Sequence, residues 1–171
     1  MAAEYFERRR SKRTNIKGDK QKVREELLLS GREDGLEVRE VEGKGRGVFS
    51  TQNFSRGQFV CEYAGELIDN ETAKRRELFY EEKTEYGCYM YYFNFKNKTL
   101  CVDATAESGR LGRLMNHSRR KANCATKLVC VQGKPHLILE TIRDVSEGEE
   151  LVYDYGERSR EIMEDHEWLK N

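Results

Sequence analysis

The chain has 171 residues, enough for one domain with a real core and too few for two sizeable ones. Hydrophobic residues make up 37% of it and charged residues 36%, so much of the chain belongs to surface or solvated extension, and a formal net charge of zero selects no partner class by itself. No apolar run is long enough to cross a membrane and no signal peptide opens the sequence, which points to an intracellular protein with no membrane partner.

The distribution of charge says more than its sum. Met1–Arg24 carries Arg8-Arg9-Arg10, Lys12-Arg13 and further Lys and Arg residues opposed only by Glu4, Glu7 and Asp19, and has too few apolar residues to pack. This segment reads as a basic, loose or marginally helical arm: either a solvated tail, or a nuclear address or contact to nucleic acid or an acidic protein patch. From Glu140 onward acidic residues dominate, which suits a basic peptide. Cys61, Cys88, Cys101, Cys124 and Cys130 are odd in number and lack close pairing, which argues against a disulfide framework and a zinc site and for free buried thiols.

A helix is expected over Asp19–Leu29, where Val23, Leu27 and neighbouring leucines can form a stripe, with Gly31 ending it. Leu36–Val41 alternates as a strand does, Val48-Phe49-Ser50 continues after a glycine-rich turn, and Gln58–Tyr63 follows as another strand. Asp69 is a good N-cap for a helix through about Glu82, with Ala73, Leu78 and Phe79 as packing residues. Two hairpins are expected: Cys88–Phe95 with Thr99–Val102 around Lys96-Asn97-Lys98, and Thr126–Val131 with His136–Thr141 around Gln132-Gly133-Lys134. Ser146–Glu149 turns into a strand ending in Tyr153 and Tyr155 on one face, and Arg158–Asn171 reads as a short helix ending in Trp168-Leu169. Many short strands and few helices imply a mainly β fold, α+β by strict content, with its topology left open by pattern alone.

Three stretches carry chemistry. Gly43-Lys44-Gly45-Arg46-Gly47 is neither a P-loop nor a dinucleotide fingerprint, but its glycines let backbone approach a ligand. Arg113-Leu114-Met115-Asn116-His117-Ser118 can bury its apolar side and present Asn116 and His117. Glu150-Leu151-Val152-Tyr153-Asp154-Tyr155-Gly156 supplies the paired tyrosines. Read singly, each has an ordinary structural account: a flexible turn, a capped helical turn, core aromatics.

Together and in this order, over Glu42–Gly156, they resemble the SET domain of protein lysine methyltransferases. The resemblance implies small curved sheets around a pseudoknot, in which the Tyr153–Tyr155 end passes beside the Asn116–His117 turn. It further implies S-adenosylmethionine as cofactor, with Lys44, Gly45, Arg46 and Tyr89 against it, Asn116 and His117 at the adenine end partly through their backbone groups, and Lys44 or Arg46 at the methionine carboxylate. Arg113 reads as architectural. Tyr155 matches the family's catalytic tyrosine, Tyr63 would line the lysine channel, and Cys88 would lie near it. Tyr153 stands where a Tyr or Phe sets the product, and a tyrosine there implies monomethylation. No cysteine follows Cys130, so a zinc segment cannot close the cofactor pocket, and the segment with Trp168 is expected to do so by stacking on adenine.

Within the family, this combination is most similar to the nucleosomal histone H4 monomethyltransferases acting at lysine twenty, from about Glu25 to the end. Glu157, where an aspartate is expected, and the basic Arg119-Arg120-Lys121 loop are departures positioned to touch a histone peptide. The resemblance thus implies a nuclear, chromatin-bound monomer built as a basic arm (1–24), a flanking helix and strand (25–41), the SET domain (42–156) and a closing helical segment (157–171). The arm would meet nucleosomal DNA or the nucleosome's acidic patch. Two rivals stand beside this reading: a lysine methyltransferase of non-histone proteins, and a catalytically silent chromatin-binding module.

Overall fold

The computed structural model describes residues 18–83, 87 and 89–157. The described residues divide into two compact units, one up to residue 32 and one from residue 33. In the first, residues 18–30 form helix α1, so the last residues of the basic stretch are helical. Gly31, at φ 63°, ends the helix, its N–H donating to the Leu28 carbonyl at 3.2 Å. Leu28 is buried, whereas Val23 and Leu29 are exposed.

Among the described residues, the second unit is built from ten short strands in three sheets, one α-helix and two 3₁₀ turns. The first sheet has the order β1 (Leu36–Val41), β2 (Gly45–Ser50), β10 (Glu150–Tyr153), β7 (Asn116–His117). The second is β3 (Phe59–Glu62), β9 (Lys134–Thr141), β8 (Cys124–Val131), and the third β4 (Glu66–Asp69), β6 (Lys98–Asp103), β5 (Met90–Phe95). Both expected hairpins form, with loops tighter than anticipated. Lys96 and Asn97 (φ 48° and 60°) turn β5 into β6, and Gln132 and Gly133 (φ 52° and 77°) turn β8 into β9. Two successive positive φ values match the right-handed twist of the flanking strands, so Lys98 and Lys134 are already paired.

Helix α2 (Asn70–Glu81) starts where Asp69 accepts the Thr72 N–H at 2.7 Å. Its packing face differs from expectation. Ala73 is buried, but Leu78 and Phe79 are 63% and 48% exposed. The inward stripe is polar instead. Arg76 and the Tyr80 hydroxyl both donate to Asp103, at 2.8 and 2.9 Å, and the Tyr92 hydroxyl donates to Glu77 at 2.8 Å. Spacings of three and four residues put these side chains on one face. The cysteines also differ in part: Cys61, Cys101 and Cys124 are buried free thiols, but Cys130 is exposed.

The largest core cluster joins Val48, Cys61, Tyr91, Val102, Met115, Leu139, Leu151 and Tyr153, binding all three sheets to the strand that ends at Tyr153. Gly112 is wedged against this core, since a Cβ there would stand 2.2 Å from the Glu62 carbonyl oxygen. Among the described residues, no helix is long and apolar enough to cross a membrane.

Two outcomes follow from this packing. Gly112→Ala should lower stability by about 2–3 kcal/mol, seen as a fall of roughly 4–12 °C in Tm, because the opposing atom is backbone; an unchanged melt would defeat this account. Asp103 is the second case. Burial pushes its carboxyl up, but hydrogen bonds from Arg76, Thr105 and Tyr80 outweigh burial and hold it below its ordinary value. A depressed carboxyl stabilises fully above its unfolded value of about 3.9, and that contribution is lost as pH falls through the native value. Asp103→Asn should therefore cost about 1.5–3 kcal/mol at neutral pH, toward the lower end because Arg76 is one-third exposed. In thermal melts taken from pH 7 to pH 3, the gap between variant and parent should narrow below about pH 4.

Candidate active site

The site begins with one short parallel pairing. β10 is bound on one edge by β2 (Glu150↔Phe49, Leu151↔Val48) and on the other by β7 (Val152↔Asn116, Tyr153↔His117). The Ser118 N–H continues this ladder to the Tyr153 carbonyl at 3.1 Å, and the Asn123 side chain clamps β10 from Glu150 O and Val152 N. The expected helical turn at 113–118 is thus a 3₁₀ turn, Gly112–Leu114, followed by a two-residue strand.

Beyond Tyr153 the chain leaves the strand, and this corrects the expectation that both tyrosines lie on it. Asp154 accepts the Gly156 N–H at 2.9 Å and turns Tyr155–Glu157 into a 3₁₀ turn. The two rings still meet, with centroids 4.9 Å apart at 50°. Tyr155 is fixed at both ends: its N–H donates to His117 Nδ1 at 3.0 Å and its hydroxyl to the Met115 carbonyl at 2.6 Å. A neutral His117 that accepts at Nδ1 carries its proton on Nε2.

These elements enclose a cavity of about 760 Å³. Lys44, Gly45 and Arg46 line one side, and Tyr89, Asn116, His117 and Tyr155 the others. Seven sequence-derived candidates are therefore brought together. Tyr63 and Tyr153 do not line this cavity; both are fully buried behind it. The Tyr63 hydroxyl donates to the Tyr89 carbonyl at 2.9 Å, which ties the two tyrosine positions together. Glu157 lies in the closing 3₁₀ turn and does not line the cavity. Cys88, Trp168, the segment 158–171 and the arm residues 1–17 lie outside the described residues.

The glycine-rich segment earns its composition at Gly47, where a Cβ would come within 2.8 Å of both Asn116 Nδ2 and Val41 Cγ2. Only glycine lets the hairpin lie this close to the Asn116 amide, which donates to Glu150 at 2.9 Å. Lys44 reaches the His117 carbonyl in a long 3.5 Å contact.

Two residues entered the site without being assigned a part in it. Arg113, read as architectural, is 3% exposed and does hold the turn, donating from Nε to Ala104 O at 2.6 Å and from Nη2 to Thr105 O at 3.0 Å. It also lines the cavity, with its guanidinium 4.0 Å from the centroid of the Tyr89 ring. Glu107 carried no signal at all. It bridges Arg46, at 2.5 Å, and Arg113, at 2.9 Å. Hydrogen bonds from Arg46 and then Arg113 hold its carboxyl below the usual carboxylate range, and the same contact raises Arg46.

The donors fit a zwitterionic nucleoside-type ligand. Cations stand at one end, backbone and amide groups around Asn116–His117 at the other, and aromatic hydroxyls where a reacting group would lie.

A family model described as the SET domain matches residues 45–156. The N-lysine methyltransferase KMT5A-A of Danio rerio is 53% identical over 98% of this chain and 49% of its own length. The histone-lysine N-methyltransferase set-1 of Caenorhabditis elegans is 44% identical over 98% of this chain and 71% of its own length. The crystal structure of CpSET8 from Cryptosporidium superposes with a TM-score of 0.72 at 33% identity, over 82% of this chain and 67% of that one. The chain spans about half the length of the fish and frog relatives it matches. On the family match, the shared fold and the β10–β7 crossing, the chain belongs to the SET-domain family.

Proposed function

We propose that this protein is an S-adenosylmethionine-dependent protein lysine N-methyltransferase that monomethylates histone H4 in nucleosomes. One observation carries the reading: the β7–β10 pairing sets Asn116 and His117 beside Tyr155 in a single cavity whose opposite side bears Lys44 and Arg46. The names of the fish and nematode relatives, a lysine and a histone-lysine methyltransferase, support the same activity.

When bound, S-adenosylmethionine supplies a methyl group activated on a sulfonium. Lys44 or Arg46 is assigned to its carboxylate, Gly45 and Tyr89 to its flank, Asn116 and His117 to adenine, and Trp168 to stacking over it. The chain's own task is to prepare the amine. A lysine ammonium has a pKa of about 10.4 and must lose its proton before it can attack. A channel of Tyr63, Tyr153 and Tyr155, with Cys88 at its side, excludes water and so disfavours the charged form. It also holds the amine in line with the methyl, which removes much of the entropic barrier. The Tyr155 hydroxyl proton is already directed at Met115 O, which leaves its lone pairs to orient the reacting groups. Neither a general base at the transfer point nor a metal is part of this scheme.

Glu157 and the acidic residues after Glu140 are assigned to the basic histone tail. The arm over residues 1–24 is assigned to nucleosomal DNA or the nucleosome's acidic patch. The same reading assigns the protein to the nucleus, on chromatin, as a monomer.

Mass spectrometry of reconstituted nucleosomes and free histones, after incubation with the protein and S-adenosylmethionine, tests the assignment. A single added methyl on the H4 tail, mainly in nucleosomes, is expected, and removing Met1–Lys17 should erase the preference for nucleosomes over peptide. Cofactor binding without methyl on any histone would move the activity to non-histone lysines or to a silent module. In the same assay Tyr153→Phe should make dimethyl-lysine a major product, because loss of the hydroxyl releases a water whose space a second methyl can take; an unchanged monomethyl product would defeat that water-based account.

A further inference from the structure

Glu107 stands in the loop after β6 and holds two guanidinium groups that both line the cavity. It faces Arg46 with both oxygens, Oε1 at 2.5 Å from Nη2 and Oε2 at 3.5 Å from Nη1, while Oε1 also lies 2.9 Å from Arg113 Nη1. The three groups differ sharply in freedom. The Arg113 side chain is 2% exposed, its Nε and Nη2 committed to Ala104 and Thr105 carbonyls and its plane against Tyr89, so it cannot follow a moving partner. Glu107 is 62% exposed and can swing into water at little cost. The Arg46 side chain is 41% exposed and sits between Gly45, at φ 75°, and Gly47.

We infer that Glu107 is a resident counter-ion that competes with the cofactor's carboxylate for Arg46 and Arg113, and so sets how tightly the methyl donor and its demethylated product are held. This inference rests on the proposed function, because it takes the cavity to be the S-adenosylmethionine site. An incoming carboxylate meets two cations whose joint charge is already half offset by one anion. It must either share Arg46 with Glu107, bringing two carboxylates together, or displace Glu107 into solvent. Both routes cost binding free energy, and both act on any ligand with a carboxylate at that end. Donor and product share that carboxylate. Glu107 therefore weakens both equally and shortens the stay of a product that must leave before the next turnover.

The discriminating measurement is calorimetric binding to the full chain of three ligands: S-adenosylmethionine, S-adenosylhomocysteine and 5′-methylthioadenosine. The third keeps the adenosine and sulfur but lacks the amino-acid carboxylate. Glu107→Gln retains a carbonyl oxygen for Arg46 and removes only the charge. It should tighten the first two ligands roughly three- to tenfold and leave 5′-methylthioadenosine within about twofold of the parent value, with the gain shrinking in high salt. Glu107→Ala should move the same way, and melting curves show that each variant is folded. Unchanged or weaker binding of S-adenosylmethionine, or an equal change for all three ligands, would overturn the competition and leave a purely structural bridge. A folded parent chain that binds none of the three would instead overturn the proposed function, and this inference with it.

Discussion

The two-residue parallel ladder between β7 and β10 is the constraint on which the site depends. Four residues of β10 serve both edges at once, pairing with β2 through Glu150 and Leu151 and with β7 through Val152 and Tyr153. Parallel neighbours cannot be joined by a tight turn. The chain between β7 and β10 carries the whole β8–β9 hairpin before it returns. Closing so long a loop costs entropy that two residue pairs cannot repay. The Asn123 side chain bonded to Glu150 O and Val152 N, the Ser118–Tyr153 bond and the burial of Leu151 and Tyr153 supply the rest. Once the crossing closes, Tyr155 has only one place to go, between His117 Nδ1 and the Met115 carbonyl.

A second layer of polar contacts steadies the far wall. Residues 103–105 work as a strut. Arg76 and Tyr80 fix the Asp103 carboxylate from helix α2. The Ala104 N–H holds the Tyr89 carbonyl at 3.0 Å, and the Ala104 and Thr105 carbonyls hold Arg113. Tyr63 donates to that same Tyr89 carbonyl. Helix α2 thereby acts on the cavity without touching it. Its inward stripe is charged because its task is to pin a carboxylate, not to fill a core. A partly buried network of this kind favours one arrangement of the wall over near alternatives, because a half-made set would leave the buried Asp103 carboxylate short of partners.

Features set by local chemistry were legible in the sequence. The Asp69 cap, the Gly31 stop and both hairpins depend on residues a few positions apart, and the structure keeps them. Misreadings came where tertiary contacts decide. Leu78 and Phe79 look like packing residues only if the buried face of α2 is assumed apolar, and the salt-bridged stripe at Arg76, Glu77 and Tyr80 breaks that assumption. The alternation of Tyr153 and Tyr155 suggests one strand, but Asp154 turns the chain between them. A two-residue strand has no period to read, so the β7–β10 crossing came from family resemblance alone. Glu107 was invisible for a related reason. It lies 61 positions from Arg46, and a single exposed glutamate in a charged chain announces nothing.

The completed site is unequal in how its groups are held, and on the proposed function that inequality suits a ligand exchanged at every turnover. Asn116, His117 and Tyr155 belong to paired or doubly hydrogen-bonded backbone, while Lys44 and Arg46 sit on a glycine-flanked hairpin, Lys44 in a long contact to the His117 carbonyl and Arg46 paired with the exposed Glu107. Rigid groups confer selectivity because they cannot rearrange around a wrong ligand. Mobile cations confer capture and release, since long-range attraction needs charge but not fixed geometry. If all were mobile, each binding event would have to order Tyr155 anew. The hairpin is joined to the crossing by the β2–β10 pairing and by the close approach of Gly47 to Asn116, so its cations are carried by the same sheet that fixes Tyr155.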